Sequence, residues 1–363
     1  MPRERMISGG TEPGAQAPDR AVSLDPQAGE YRDDRAILRL RPRSFREYVG
    51  QHAVLDSLRI AVAAARQRGE PVDHVLFHGP PGLGKTTLAH IIAREMESEL
   101  VHTSGPALER PADMVGLLSN LEAGAVLFID EIHRLSSAVE EYLYSAMEDF
   151  KVDFVTGSGA YAKTLSFPLK PFTLAGATTR AGLLSSPLRD RFGMIYHMEY
   201  YTEDELASVV NRSAQILDVP IDDEGAAEIA RRARGTPRVA NRLLRRVRDY
   251  AEVEAKGEVT REIAGTALAM EGVDGLGLDR LDRLYLTTLA NQYRGGPAGI
   301  EAIAATVNEE SQTLMDVVEP YLLKIGFIIR TPAGRRVTPE GMQHAGVAPT
   351  RGGDGTRQGM LGL

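Results

Sequence analysis

One segment restricts the fold of this chain more than any other: Gly79-Pro80-Pro81-Gly82-Leu83-Gly84-Lys85-Thr86, the pattern G-x-x-x-x-G-K-T. It follows a short apolar run, His74 to Phe77, and precedes a helical period, Thr86 to Met96. A strand, a glycine-rich loop and a helix in that order aim backbone N–H groups at a phosphate. Gly79, Gly82 and Gly84 let the loop curl so that those groups converge. Lys85 is expected to reach the β- and γ-phosphates of ATP, and the Thr86 hydroxyl to ligate Mg2+, with Thr87 beside it. A second run, Leu127-Phe128-Ile129-Asp130-Glu131, is an apolar strand that ends on paired carboxylates. Asp130 is expected to hold Mg2+ through water, and Glu131 to orient and deprotonate the attacking water. Together the motifs predict ATP binding and hydrolysis.

The length of 363 residues allows two or three domains. Apolar content of 43% and charged content of 25% suit a globular chain. No apolar run approaches the roughly 20 residues of a membrane span. Met1 to Glu30 has no hydrophobic segment of the secretory kind, so the expectation is a cytoplasmic protein without a membrane partner. The absence of cysteine excludes disulfides, thiolate zinc sites and cysteine nucleophiles. A net charge of −8 argues against a uniformly nucleic-acid-binding surface but leaves local basic patches open.

The chain divides into zones. Residues 1–35 read as a disordered extension. From 36 to 200, strand-like runs alternate with helical periods, the grammar of a parallel α/β layer. Strands are expected at His74–Phe77, Leu100–Thr103, Ala125–Ile129, Phe172–Gly176 and Met194–Met198. Residues 201–272 read as helical only, opened by the capping box Thr202-Glu203-Asp204-Glu205. Three glycines in Gly272–Gly277 mark a linker into a third zone, 273–346. Residues 347–363 read as a flexible tail. Within the α/β zone, residues 152–167 alternate apolar and polar on both sides of Gly157-Ser158-Gly159, which is hairpin patterning and a candidate protein contact.

Three further segments refine the chemistry. Phe172 to Arg180 is a strand whose tip presents Thr178, placed to polarise the attacking water. Ser186-Pro187-Leu188-Arg189-Asp190-Arg191-Phe192-Gly193 sets two arginines around an aspartate. Arg191 is the candidate finger onto a neighbouring subunit's nucleotide, with Arg189 the alternative. From Arg231 to Arg248 there are eight arginines in eighteen residues, which invites a nucleic-acid reading. The apolar positions Val239, Leu243, Leu244 and Val247 make the same stretch an amphipathic helix. Gly235-Thr236-Pro237 sets the helix start, so Arg238 falls in the first turn, suited to sensing phosphate, with solvated or inter-subunit faces for the other arginines.

In order and spacing these segments resemble the RuvB family of AAA+ motors, from about Leu38 to Gly346. The resemblance implies an ATP-driven ring motor. Such a motor moves duplex DNA to drive Holliday-junction branch migration in recombination and repair, as a homohexamer working with RuvA and RuvC. It implies a P-loop AAA+ large domain, an all-helical lid and a C-terminal winged helix. It carries Leu40, Arg41 and Tyr201 over as nucleotide contacts, Thr178 and Arg238 as the two sensors and Arg191 as the trans-acting finger. Glu148-Asp149-Phe150 corresponds to a stretch facing the neighbouring subunit's ATP, and hairpin 152–167 to the RuvA-docking element. It also implies that hydrolysis changes the angle between the α/β layer and the lid.

The third zone reads as a winged helix in its own right. Helices are expected over Leu281–Gln292, Gly299–Val307 and Ser311–Ile325, followed by a wing at Gly326–Val337. Arg330 and Arg335 are the candidate contacts to DNA phosphates. Ser311 stands where the family commonly has arginine, and Arg336 is a candidate to compensate. A two-lobed helicase, suggested by Asp130-Glu131-Ile132-His133, needs a second α/β lobe that this pattern does not supply. A non-catalytic DNA-binding protein with a vestigial loop would be expected to lack Lys85, Glu131 or Arg191.

Overall fold

The computed structural model describes residues 39–156 and 163–347. The expected N-terminal extension (1–35), the hairpin tip (157–162) and all but the first residue of the expected tail lie outside them.

Seven strands belong to the α/β layer: β1 (Val75–His78), β2 (Leu100–Ser104), β3 (Val126–Asp130), β4 (Lys151–Thr156), β5 (Lys163–Pro168), β6 (Thr173–Thr178) and β7 (Met194–His197). Five of them form a parallel sheet in the order β2-β3-β6-β1-β7. Helices cover both faces, so the central strands β1, β3 and β6 are buried nearly throughout, while the edge strands β2 and β7 are partly exposed. The two-residue period still divides them. Val75, Phe77, Val126 and Phe128 enter one core, while Leu76, Leu127 and Ile129 enter the other. The helix Lys85–Glu95 supplies Leu88, Ile91 and Ile92 to the first core at helical spacing.

The strand order positions the chemistry. β6 lies between β1 and β3, with His78 opposite Thr178 and Ile129 opposite Gly176. The glycine loop, the paired carboxylates and Thr178 therefore leave the sheet side by side, at the carboxyl edge where open parallel sheets bind ligands. The strands β4 and β5 pair separately as an antiparallel hairpin, which leaves Leu165 and Phe167 exposed.

Four helices follow, Glu203–Ile216, Asp223–Arg231, Pro237–Glu254 and Arg261–Met270. Thr202 caps the first, accepting from the Glu205 amide, as the capping box predicts. The basic run is less exposed than expected. Arg234 and Arg245 are buried, and Arg231 and Arg232 both pair with Glu228. The apolar stripe packs inward and carries the bases of several arginines with it, so intrachain carboxylates and carbonyls are their first partners.

The last zone contains helices Arg280–Thr287, Ile300–Val307 and Pro339–His344 and the wing strands β8 (Ile328–Thr331) and β9 (Gly334–Val337). Two expected continuous helices contain a π-turn instead, at Thr288–Gln292 and Leu314–Val318. The second lies just before Pro320, which has no N–H to donate to the carbonyl four residues back. A widened turn there re-seats the hydrogen-bond ladder. The first has no comparable sequence mark.

Glu319, fully buried, organises this zone. It accepts from the Tyr285 hydroxyl at 2.8 Å and from Nε of both Arg330 and Arg335, each at 2.8 Å. Burial alone would raise its pKa, but the Arg335, Tyr285 and Arg330 bonds outweigh that and hold it below the ordinary value. Glu319→Ala would strand two guanidinium groups and a buried phenol. It should lower the stability of this zone by about 3 kcal/mol, read as urea-dependent hydrogen exchange in β8 and β9; unchanged protection would contradict this role.

Candidate active site

The loop Gly79–Gly84 is held open by backbone that only glycine adopts cheaply. Gly79, Gly82 and Gly84 have φ of 139°, 82° and 98°. A Cβ at Gly84 would lie 2.4 Å from the Tyr48 hydroxyl oxygen, and one at Gly79 2.5 Å from the Met198 carbonyl. Lys85 opens the following helix and is buried. Its ammonium donates to the Gly79 and Pro80 carbonyls at 2.8 and 2.7 Å. Burial lowers its pKa to about 8, partly offset by the Asp130 carboxylate. The result is a desolvated cation at a helix N-terminus, beside the glycine loop and suited to an anion.

Across β6, the carboxylates emerge at the end of β3. Asp130 accepts from the Glu131 amide at 2.9 Å. Glu131 takes a left-handed conformation, φ 48°, and pairs with Arg134 at 3.0 Å. Thr178 is fully buried, and its hydroxyl already has two partners: His133 Nδ1 and the Arg180 amide, both at 2.9 Å. Thr179, the next residue, is only partly buried at the same strand tip. Thr178 therefore sits inside a hydrogen-bonded network beside the carboxylates rather than presenting a free hydroxyl. Sequence reading missed His133 and Arg180; the one available signal was their spacing, two residues beyond Glu131 and Thr178 respectively.

The opposite wall joins the N-terminal segment to the helical zone. The Tyr48 and Tyr201 hydroxyls both donate to the Leu83 carbonyl, at 3.1 and 3.3 Å, and burial raises the pKa of both phenols. The Tyr201 amide donates to the Gly235 carbonyl at 2.9 Å, and the Arg238 amide to the Gly82 carbonyl at 3.4 Å. Arg238 is exposed beside the loop. Leu40 is buried, and its carbonyl accepts from Arg212 at 2.8 Å. Arg41 lies near His90, whose pKa falls to about 4 through burial first and then through Arg41, His102 and Arg94.

Thr86 and Asp130, a hydroxyl and a carboxylate flanking the Lys85 ammonium, offer hard oxygen donors. Two such ligands with waters match the way Mg2+ binds beside phosphates. The donor set therefore fits the ion that the motifs imply.

Arg191 lies apart from this cluster. Its guanidinium covers the Tyr144 ring at 4.5 Å, pairs with Glu148 at 3.2 Å and donates to the Pro187 carbonyl at 2.7 Å. Its Nε is buried without a hydrogen-bond partner. Asp149 pairs with Lys151. Phe150 departs from the expected outward role: its ring packs edge-on to His74 and Phe172, because the left-handed backbone at φ 49° turns it onto the sheet's second core. Glu148 and Asp149 are the exposed members of that trio.

The wing bears on the expected duplex contacts. In the β8–β9 register Arg330 faces Arg335, and both side chains bind Glu319. The Arg335 side chain is only 17% exposed and is a structural partner, whereas that of Arg330 is 50% exposed and retains an accessible edge. Ile329 and Arg336 occupy the other wing face, both exposed. Strand alternation alone separates these roles, but which face is inner depends on Glu319.

Three family profiles match successive parts of the chain: the Holliday junction DNA helicase RuvB P-loop domain (40–198), the RuvB AAA lid domain (201–274) and the RuvB C-terminal winged helix domain (275–346). The Holliday junction branch migration complex subunit RuvB of Ligilactobacillus salivarius (strain UCC118) is 56% identical over 329 residues, 91% of this chain and 97% of that protein. The solved Thermotoga maritima RuvB Holliday junction branch migration motor superposes with a TM-score of 0.78 at 49% identity, covering 85% of this chain and 99% of that one. A solved variant of the same Thermotoga protein gives 0.79 at 49% identity, with 85% and 98% covered.

Gly84→Ala should weaken nucleotide binding at least about ten-fold through the Tyr48 collision, measured by titration calorimetry; wild-type affinity would show that the loop relaxes freely. Arg336→Ala should reduce the salt dependence of duplex binding by about one phosphate contact. Arg335→Ala should instead loosen the wing, visible as lost hydrogen-exchange protection.

Proposed function

The chain belongs to the RuvB family of Holliday-junction branch-migration motors, and on that premise we propose how its residues perform ATP-driven branch migration. It is a P-loop AAA+ ATP hydrolase with a helical lid and a winged-helix domain. The observation that carries the assignment of roles is the placement of β6 between β1 and β3. That order brings Lys85, Asp130, Glu131 and Thr178 to one sheet edge, facing Tyr201 and Arg238 from the lid.

Lys85 and the loop amides bind the phosphates, with Gly82, Gly84 and Thr87 shaping the cradle. Leu40, Arg41 and Tyr201 form the base side. Thr86 and Asp130 would hold Mg2+, which when bound supplies positive charge to the β- and γ-oxygens. Glu131 leaves Arg134 to accept a proton from water as the water oxygen bonds to the γ-phosphorus. The bond from that phosphorus to the bridging oxygen breaks, and ADP departs. The Thr178–His133 network aligns this edge. Arg191, together with Glu148 and Asp149, acts on the neighbouring protomer's nucleotide in a homohexamer. For this the guanidinium must leave the Tyr144 ring and Glu148. Arg238, stitched to Gly82 through its backbone, couples loop closure to the lid.

The exposed apolar residues Leu165 and Phe167 support hairpin 152–167 as the RuvA contact. RuvC is proposed as a further member of the assembly on the junction. Arg330 and Arg336 are the favoured duplex-phosphate contacts. No helix among the described residues is long and apolar enough to cross a membrane; a cytoplasmic location is proposed from the family, whose members process DNA.

The test is migration of a synthetic four-way junction with ATP, with and without RuvA. ATP-dependent dissociation strongly stimulated by RuvA is expected; ATP turnover with no junction processing would overturn the motor assignment. Lys85→Ala should lose ATP binding. Arg191→Ala should bind ATP, fall at least about 1,000-fold in turnover, and inhibit wild-type rings when mixed. Undiminished activity in the mixtures would remove its trans role.

A further inference from the structure

Two kinds of joint tie the winged-helix domain to the rest of the chain, and they differ in strength. The first runs to the lid. Arg234, immediately before the Gly235–Arg238 turn, is buried and pairs with fully buried Asp282 and, at 2.8 Å, with Asp279. It also donates to the Gly277 carbonyl at 2.7 Å and covers the Tyr321 ring at 5.6 Å. Nearby, Lys324 covers the Tyr200 ring at 4.2 Å. Removing one partner of such a buried set leaves an uncompensated charge, so this joint holds lid and winged helix together.

The second joint runs to the α/β layer and consists of Arg180 and Asp316. Arg180 donates to Asp316 through Nε at 3.1 Å and through a second nitrogen at 2.5 Å. The side chains are 29% and 35% exposed, so water can replace either partner at modest cost. Asp316 sits in the π-turn Leu314–Val318, where backbone hydrogen bonding is already irregular, and also accepts from Gln312. At the other end, the Arg180 amide donates to Thr178 Oγ1, which bonds His133, two residues beyond Glu131. A pull on Arg180 therefore reaches the hydroxyl network beside the catalytic carboxylates within one residue.

We propose that the Arg180–Asp316 pair is a latch through which the winged-helix domain and the hydrolytic edge sense each other, with both as positioning residues. The inference rests on the motor reading above and extends it. Lid and winged helix, held as one unit by the Arg234 joint, move together, and the part-exposed Arg180–Asp316 pair is the contact to the α/β layer that opens and closes as they swing. Closed, it holds Arg180 and hence Thr178 and His133 in register with Glu131. Open, it frees the winged helix to follow duplex while the sensing strand relaxes.

The experiment uses the full chain with Arg180→Ala, Asp316→Ala, both together, and Asp316→Asn. Each single alanine variant should lower DNA stimulation of ATP turnover, and base pairs migrated per ATP, by about five-fold or more. The double variant should lose no more than the worse single one, since both remove the same bond. Asp316→Asn should keep the KM for ATP and the salt-dependent duplex affinity within about two-fold of wild type, which a general unfolding of the joint would not. Additive losses, or single variants that keep full coupling, would overturn the latch. A wild-type chain that hydrolyses ATP without processing junctions would fail the motor reading itself, a separate and distinguishable result.

Discussion

A buried ammonium hydrogen-bonded to two backbone carbonyls, with the Asp130 carboxylate offsetting only part of its desolvation, is an incomplete electrostatic arrangement, and the nucleotide site is built around that incompleteness. Lys85 is drawn out of water because the helix it begins packs Leu88, Ile91 and Ile92 into the central core. The carbonyls of Gly79 and Pro80 stabilise its charge without neutralising it. The glycine conformations, the Tyr48 and Tyr201 hydroxyls on Leu83 and the Arg238 amide on Gly82 all act on the same short loop. An anion entering there satisfies the ammonium, and the lid residues Tyr201 and Arg238 are bonded to the loop that would receive it.

The same physics separates the remaining charged groups into fixed and movable ones. Glu319 and Asp282 are wholly buried and surrounded by donors, which makes their partners structural. Asp282 is held up to about 7, with burial outweighing the nearby Arg234 cation. By contrast, Glu131 with Arg134, Arg191 with Glu148, and Arg180 with Asp316 are all part-exposed pairs. Each can be exchanged for another partner at small cost, as a chemical cycle requires.

Patterns that depend on neighbours in the chain were legible. The loop, the acidic strand end, the capping box at Thr202 and the wing all lie where their spacing predicts. Patterns that depend on distant neighbours were not. Arg335 read as an exposed wing arginine until Glu319 drew its guanidinium inward, Phe150 pointed outward until φ at that residue turned it inward, and Arg234 and Arg245 joined a basic run until folding buried them. The π-turn before Pro320 was readable in principle, since proline cannot donate to the ladder; the turn at Thr288–Gln292 carries no such mark.

The sequence by itself determined the chemistry: a phosphate loop, paired carboxylates, a helical lid and a winged helix, each specified by local backbone preference and side-chain period. Tertiary structure alone decided which charges remain free to act. A side chain's availability is set by what lies across from it, and those partners, Glu319 for Arg335, Asp316 for Arg180 and Glu148 for Arg191, are brought near by sheet order and domain packing rather than by any local pattern.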